Sequence, residues 1–250
     1  MNWGWAIATC RGTSHLRDNS ECQDTSRCLT VGPRKDMLVA VVSDGAGSAM
    51  LGKQGSALTC RTITETARTY FNNSAASPTD ELLWDWIDQC RERIILAARL
   101  RGAKPRDFAA TLVAVFALPS ETIIMHIGDG AAVINVDGQW LVPSWPAHGE
   151  YASTTFFITD DPNADLRITR LPYRIDAAAA FSDGIERLVL KFADQTASAT
   201  FFDKFAGTVR AAKKTGCTPE LNIRLGEFLD SPTINERTDD DKSLIIAVRQ

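Results

Sequence analysis

The sequence predicts an α+β protein in which the strands and the helices occur in separate groups. Apolar residues alternate with a period of two in some segments and recur with a period of 3.6 in others, so both sheets and helices are expected. Strand-like segments follow one another between residues 108 and 142, and most helix-like segments lie before or after them. Such grouping favours layers of sheet and helix over a regular β-α-β alternation.

The predicted strands are short and mostly apolar. Trp3, Trp5 and Ile7 alternate with other residues, as in a half-buried strand. Further strands are expected at residues 37–42, 108–118, 122–127, 131–136, 140–142, 175–181 and 244–248. The pair Asp137-Gly138 lies between two of them and is a strong signal for a hairpin turn.

The predicted helices have recognisable starts and apolar faces. They are expected at residues 48–70, 80–100, 185–192, 197–212 and 219–229. The second begins after Ser77-Pro78-Thr79, which supplies a proline and a capping oxygen where free N–H groups need partners. Residues 143–165, rich in proline, aromatic residues and aspartate, are expected to form a variable, flap-like surface excursion. We see no repeat and no linker, so one domain is predicted over residues 1–250.

Composition excludes several classes of protein. The formal charge is −4 with no run of like charges, which argues against a nucleic-acid partner bound through a basic face. Six cysteines without a C-x-x-C pair and only three histidines do not suit a zinc-type site. No run of about 18 apolar residues and no signal-like N-terminus occur, so a cytoplasmic protein without a membrane partner is expected.

Aspartates recur at the ends of the predicted strands. Asp44, Asp129 and Asp183 each follow an apolar run and precede glycine, and Asp240 precedes the last strand. Turn chemistry alone explains a single Asp-Gly pair, and Asp137 is interpreted in that way. Carboxylates that converge at one end of a sheet would instead form an oxygen-rich cage suited to Mg²⁺ or Mn²⁺. A glycine after the aspartate would let a backbone carbonyl approach the metal.

Several segments resemble, in order, the motifs of the metal-dependent protein phosphatase family, also called type 2C or PPM. They are GTSHLRDNSECQD, VVSDGAGSAMLGKQGSALT, RDFAATLVAVF, IGDGAAVI, FSDGIERL and DDDKSLIIAV, and the resemblance extends from about residue 5 to residue 248. It implies a four-layer αββα sandwich of two antiparallel sheets flanked by helices. It also implies a compact, bacterial-like serine/threonine phosphatase in signalling, which removes phosphate from proteins and opposes a serine/threonine kinase.

The resemblance also implies a set of metal ligands. In chain order they are Asp24 (through water), Asp44, Gly45 (through its carbonyl), Asp129, Asp183 and Asp240. Asp44 would bridge two divalent cations, Mn²⁺ or Mg²⁺, and Asp183 and Asp240 would bind one of the two. Asp129 would help to bind a weaker third cation. A hydroxide shared by the two cations would attack phosphorus directly, without a phospho-enzyme.

The chain departs from the family pattern near the expected phosphate position. Gln23 stands where the family often has Glu, and the arginine that usually binds phosphate is missing from its place. Arg17 and His15 lie slightly upstream, and either could take over that role. Arg17 is the better fork for phosphate, whereas His15 could instead act as a general acid. His148 would reach the cleft if residues 143–165 folded over it.

Two other functions stay open at the level of the sequence. Residues 47–54 follow a predicted strand and fit G-x-x-x-x-G-K of a nucleotide-binding P-loop, but Gln54 replaces the Ser or Thr that binds magnesium. A family member that binds phosphoproteins without turnover is the other alternative, because Gln23 and the displaced Arg17 alter the phosphate side. A monomer is expected for the phosphatase.

Overall fold

The strands form two large sheets in the computed structural model, which describes residues 2–147, 155–160 and 164–250. In chain order they are β1 (Trp3–Cys10), β2 (Thr25–Val31), β3 (Met37–Ser43), β4 (Leu112–Ala117), β5 (Thr122–Ile127), β6 (Ala131–Val136), β7 (Gln139–Ser144), β8 (Arg167–Leu171), β9 (Ala177–Phe181), β10 (Leu190–Lys191), β11 (Thr196–Ala197), β12 (Gly216–Cys217) and β13 (Lys242–Arg249).

Two long helices and several shorter ones accompany the sheets. They are α1 (Thr13–Arg17), α2 (Gly52–Asn73), α3 (Asp80–Arg101), α4 (Glu186–Val189), α5 (Ala199–Ala211), α6 (Pro219–Leu229) and α7 (Pro232–Asn235). The start of α3 follows the predicted capping, because the Thr79 side chain accepts a hydrogen bond from the Leu82 N–H at 3.3 Å. Its end is set by Gly102, whose left-handed backbone (φ 63°) stops the helix.

The order of strands divides the chain between the two sheets. One sheet runs β12-β1-β13-β9-β6-β7 and the other β2-β3-β4-β5-β8, while β10 and β11 pair separately. Neighbouring strands are antiparallel except for the short parallel contact of β12 with β1. The consecutive strands β5 and β6 belong to different sheets, so the chain crosses from one sheet to the other between residues 127 and 131.

Three apolar layers hold the four structural layers together. Helices α2 and α3 pack on the five-stranded sheet around Trp86, Phe71 and Phe116. Helices α5 and α6 pack on the six-stranded sheet around Phe202. The two sheets pack face to face through residues such as Trp3 from one and Val113 from the other. The predicted four-layer αββα sandwich is therefore confirmed.

Several predicted boundaries are wrong for local reasons. Residues 108–118 do not form one strand, because Pro105–Phe108 is a 3-10 turn and β4 begins at Leu112. The helix predicted for residues 185–192 ends at Val189, and the next two residues pair with β11 instead. Helix α2 begins at Gly52 rather than at residue 48. The half-buried strands β2 and β8 escaped prediction because they lack a long apolar run.

The described part of residues 143–165 is anchored to the body of the protein. Strand β7 continues to Ser144, and Ile158 is fully buried in the α2–α3 core. Arg91 on α3 donates from Nε to the Ile158 carbonyl at 3.0 Å and from Nη2 to the Asp160 carbonyl at 2.8 Å. His148 lies outside the described residues. None of the helices in the described ranges combines the length and apolarity that crossing a membrane requires.

Replacing Trp86 by alanine tests the α2–α3 core. Trp86 is 1% exposed and makes edge contacts with Tyr70 and Phe116. Trp86→Ala is expected to lower the free energy of unfolding by about 3–5 kcal/mol, since it leaves a cavity in a closely packed layer. Trp84, on the same helix but 38% exposed, gives the matched control. Trp84→Ala should change the free energy of unfolding by only about 0.5 kcal/mol. Urea denaturation measures both, and equal losses would contradict this account of the core.

Candidate metal centre

Four aspartates reach one cleft because the strands that carry them end at the same edge of the sandwich. Asp44 follows β3, Asp183 follows β9 and Asp240 lies just before β13. Asp129 lies in the crossing from β5 to β6, where Gly128 takes a positive φ of 102°. All four line a cleft of about 210 Å³. The predicted convergence of these residues is therefore observed.

The carboxylates of three of these residues lie close enough to share a cation. Asp44, Asp129 and Asp183 each present an oxygen, and these atoms lie within 4.8 Å of one another. The Oδ1 atoms of Asp129 and Asp183 have no hydrogen-bond partner. Among the described residues, no lysine or arginine lines the cleft. Positive charge is thus missing from an acidic site, and a divalent cation would supply it.

The pKa values of these carboxyl groups are raised by their surroundings. Burial raises the pKa of Asp183 to about 9, and the charges of Asp129 and Asp240 add to the effect. Burial raises the pKa of Asp44 well above its usual range, with Asp24 and Asp183 contributing. A bound cation reverses this effect, because it favours the charged form of each carboxylate. The residues present therefore fit divalent metal ions with oxygen ligands.

Asp24 lies behind Asp44 and is almost fully buried. Its Oδ2 accepts a hydrogen bond from the Ser182 hydroxyl at 2.6 Å, and its Oδ1 has no partner. Burial raises the pKa of Asp24 to about 6, although the bond from Ser182 opposes the shift. Asp24 is not among the residues that line the cleft.

Gly45 has a packing reason to be glycine besides the approach of its carbonyl. A Cβ atom at Gly45 would lie 2.3 Å from the backbone carbon of Gly52, at the start of α2. The Gln23 side chain meets the same loop. The Gln23 amide is oriented with its nitrogen toward two backbone carbonyls. This nitrogen donates to the carbonyl of Gly45 at 2.8 Å and to the carbonyl of Ala46 at 3.3 Å. Gln23 therefore holds the carbonyl that the family resemblance assigns to a metal.

Of the two residues predicted to meet the phosphate, His15 and Arg17, only His15 lies in the cleft. His15 lines the cleft, and its Nδ1 lies 2.9 Å from Oδ2 of the buried Asp241. Arg17 is not brought into the cleft: it pairs with Asp239 at 2.8 Å, and its side chain is 67% exposed. Asp241 also accepts from the Gly12 N–H and the Gln23 N–H, each at 2.6 Å. Asp241 thus ties the N-terminal loop to the start of β13.

Residues from the excursion after β7 reach the same cleft. The Thr155 hydroxyl donates to Asp129 Oδ2 at 2.5 Å, and Phe157 lines the cleft beside it. At the base of the excursion, His126 Nδ1 lies 2.6 Å from the Ser144 hydroxyl and 3.0 Å from Arg167 Nη2. Burial, with help from Arg167, lowers the pKa of His126 to about 3, so this imidazole is neutral and structural.

Sequence reasoning missed the contributions of Thr155 and Asp241 and the contact of the Gln23 amide with the Gly45 carbonyl. Thr155 carried no signal, because a lone threonine far from the other site residues matches no spacing rule. The acidic pair Asp240-Asp241 was visible, but only the fold shows that the second member faces the N-terminal loop.

Comparison with known proteins identifies similar sequences and folds. The family described as protein phosphatase 2C matches residues 11–230. Serine/threonine-protein phosphatase 3 of Escherichia coli K12 is 34% identical over 253 residues, covering 99% of each chain. The structure resembles the phosphatase Stp1 of Staphylococcus aureus, with a TM-score of 0.63, 15% identity and coverage of 100% of this chain and 98% of the other. It also resembles the catalytic domain of PstP in complex with two manganese ions, with a TM-score of 0.67, 15% identity and coverage of 99% and 98%.

Without metal, the stability of the protein should fall as the pH rises. The folded-state pKa of Asp183 is raised to about 9, so its contribution is fully present below the unfolded value of about 4 and is lost as the pH rises toward 9. The melting temperature in EDTA should therefore decrease between about pH 5 and pH 9. Asp183→Asn should flatten this decrease, and Mn²⁺ should raise the melting temperature most at high pH.

The exposed turn residue Asp137 provides the matched control for this titration. Asp137→Asn keeps a residue that tolerates its positive φ of 49° and should leave the pH profile unchanged. Identical profiles for wild type and Asp183→Asn would show that the buried carboxylates do not control stability.

Proposed function

The chain belongs to the protein phosphatase 2C family, and on this basis we propose that it removes phosphate from phosphoserine and phosphothreonine in proteins with the help of divalent cations. The observation that carries the proposal is the approach of Asp44, Asp129 and Asp183 to within 4.8 Å at the end of two sheets. Oxygen ligands of this kind suit Mn²⁺ and Mg²⁺.

The proposed metal centre would hold two cations, and Asp44 would be a ligand of both. Asp183 and Asp240 would bind one, and the Gly45 carbonyl would complete the shell of the other, to which Asp24 would contribute through water. The two manganese ions of the PstP catalytic domain, a protein of the same fold, support this number. The unpartnered Asp129 Oδ1 supports a weaker third cation beside them.

When bound, the cations would supply an activated water and would neutralise charge on the phosphate oxygens. The protein's own side chains would hold the cations in position. Gln23 restrains the Gly45 carbonyl by a 2.8 Å hydrogen bond. Since a carbonyl oxygen has two lone pairs, it can accept from Gln23 and still face a cation. The substitution of Gln for Glu at this position therefore removes a charge without removing the metal ligand.

His15 is proposed as the residue that meets the phosphate or the leaving oxygen. Its Nδ1 is held 2.9 Å from Asp241, which leaves Nε2 as the ring nitrogen available to the substrate. A proton on Nε2 could pass to the serine or threonine oxygen as its bond to phosphorus breaks. The Asp241 carboxylate lies at ion-pair distance from this imidazole and would restrain the ring from its Nδ1 side.

The wider setting of the activity is also part of the proposal. We infer that residues 1–250 act as one phosphatase domain, monomeric and cytoplasmic, and that it opposes a serine/threonine kinase. The P-loop alternative loses its support, because Lys53 pairs with Glu21 at 2.7 Å and the segment before α2 serves the acidic cleft. Binding of phosphoproteins without turnover would show as manganese binding without hydrolysis of a phosphopeptide.

Replacing Asp44 tests the metal-dependent activity. Asp44→Asn keeps the side-chain shape but removes the shared charge, so Mn²⁺-dependent hydrolysis of a phosphothreonine peptide should fall about 1,000-fold or more. EDTA should abolish the wild-type activity, and Mn²⁺ or Mg²⁺ should restore it. Asp137→Asn is the control and should retain full activity. Manganese binding without turnover on any phosphopeptide would instead favour a binding module.

Separate replacement of His15 and Arg17 tests the phosphate side. His15→Ala should lower kcat on a phosphothreonine peptide by about 100-fold, as expected for loss of general acid catalysis. The loss should be smaller on para-nitrophenyl phosphate, whose leaving group needs no proton. Arg17→Ala breaks only an exposed ion pair and should change either rate by less than about twofold. A larger effect of Arg17→Ala than of His15→Ala would reverse the assignment.

A further inference from the structure

The loop between β3 and α2 places apolar groups beside the acidic site. Residues 46–48 of this loop line the cleft, and so does Phe157 from the excursion after β7. Ala46 and Ala49 pack with Ala109 in a small buried cluster, and Phe157 packs against this cluster. The cluster is separate from the three apolar layers of the sandwich. The cleft is therefore bordered by apolar side chains as well as by carboxylates.

Met50 extends this apolar border onto the surface. It lies two residues before α2 and is 79% exposed. The loop that carries it is fixed at two points, because the N–H of Ala46 donates to the Ala109 carbonyl at 2.9 Å and the N–H of Leu51 donates to the Asp107 carbonyl at 2.7 Å. Single exposed apolar residues are common on protein surfaces. Met50 differs from them because the residue before it belongs to the buried cluster that borders the cleft.

The loop leaves open space beside the cleft and brings no basic group into it. A Cβ atom at Gly47 would meet no other atom within 4 Å. Lys53, in the first turn of α2, pairs with Glu21 at 2.7 Å. Among the described residues that line the cleft, none is a lysine or an arginine. A substrate residue that enters this space would therefore meet apolar groups and the cleft carboxylates, which disfavour an acidic side chain there.

We propose that Met50 and Phe157 form a contact surface for an apolar side chain of the substrate, next to its phosphoserine or phosphothreonine. This inference rests on the proposed function, and neither residue belongs to the ligands and phosphate-side residues that the family resemblance implies. Consecutive Cα atoms of a peptide lie about 3.8 Å apart, so a residue adjacent to the phosphorylated one stays within reach of the groups that border the cleft. Methionine is unbranched and flexible, so this surface would accept leucine, isoleucine, methionine or phenylalanine alike.

Two phosphothreonine peptides that differ only beside the phosphothreonine test the proposal. One peptide carries leucine on both sides of the phosphothreonine, and the other carries serine. With Mn²⁺, the wild type should hydrolyse the leucine peptide with a kcat/KM about 5-fold or more above that for the serine peptide, because leucine would bury apolar surface against the protein. The ratio of the two kcat/KM values is the quantity compared, so a general change in activity does not alter the result. Equal values in the wild type would overturn the proposal.

Variants of the full-length protein show whether Met50 carries this preference. Met50→Ser should reduce the ratio of kcat/KM values to about twofold or less, because it removes the exposed apolar side chain. Leu100→Ser is the matched control and should keep the wild-type ratio, since Leu100 is 78% exposed but lies in the last turn of α3 and does not line the cleft. An undiminished ratio in Met50→Ser, or an equal reduction in Leu100→Ser, would refute the assignment.

Phe157→Ser tests the second member of the contact surface and should also reduce the ratio. Phe157 packs against the buried cluster, so this variant also removes a packing contact. If Phe157→Ser does not fold, Met50→Ser decides, because substitution of a side chain that is 79% exposed changes stability little.

Binding measurements separate this inference from the proposed phosphatase activity. Fluorescence anisotropy follows the binding of the same two peptides, labelled with fluorescein, to the wild type and to Met50→Ser in the presence of Mn²⁺. Hydrolysis of both peptides with equal kcat/KM would remove only the apolar preference. Tighter binding of the leucine peptide that is lost in Met50→Ser, without hydrolysis of either peptide, would remove only the activity. Absence of both binding and hydrolysis would remove both.

Discussion

Repulsion among half-buried carboxylates at one end of the sandwich is the constraint on which the rest of the structure depends. Asp44, Asp129 and Asp183 lie within 4.8 Å of one another, and burial raises the pKa of Asp183 to about 9. In the absence of cations the site is therefore a source of instability that the three apolar layers must offset. With cations the same charges become ligands, so metal binding and folding stability are linked.

The sandwich tolerates this arrangement because the acidic groups lie where strands end rather than within the apolar layers. Each sheet contributes aspartates from strand ends at the same edge, and the crossing from β5 to β6 adds Asp129 between the sheets. Regular strands fix these positions more precisely than loops would. The excursion after β7, held by Arg91 and reaching Asp129 through Thr155, then covers one side of the cleft. The scaffold thus supplies rigidity, and the loops supply the parts that meet the substrate.

The phosphate side of the cleft differs in charge from the pattern that the family resemblance implies. Gln23 is neutral, and the imidazole of His15 with its partner Asp241 occupies the cleft while Arg17 pairs at the surface. No lysine or arginine of the described residues lines the cleft. Recognition of the phosphate would consequently depend more on the cations and less on a guanidinium. This dependence gives the aspartates that line the cleft a direct bearing on activity.

The sequence by itself determined the layered fold and most strands and helices, because period and local motifs report burial and turn chemistry. Its resemblance to the family's motifs indicated which aspartates meet in the cleft. It did not determine whether His15 or Arg17 enters the cleft, since the two are separated by a single residue in one short helix and point to different neighbours. It also did not reveal the contacts that Thr155 and Gln23 make in the cleft, because local spacing does not encode them. Only the tertiary structure decided these points, because each depends on which distant segments meet at the edge shared by the two sheets.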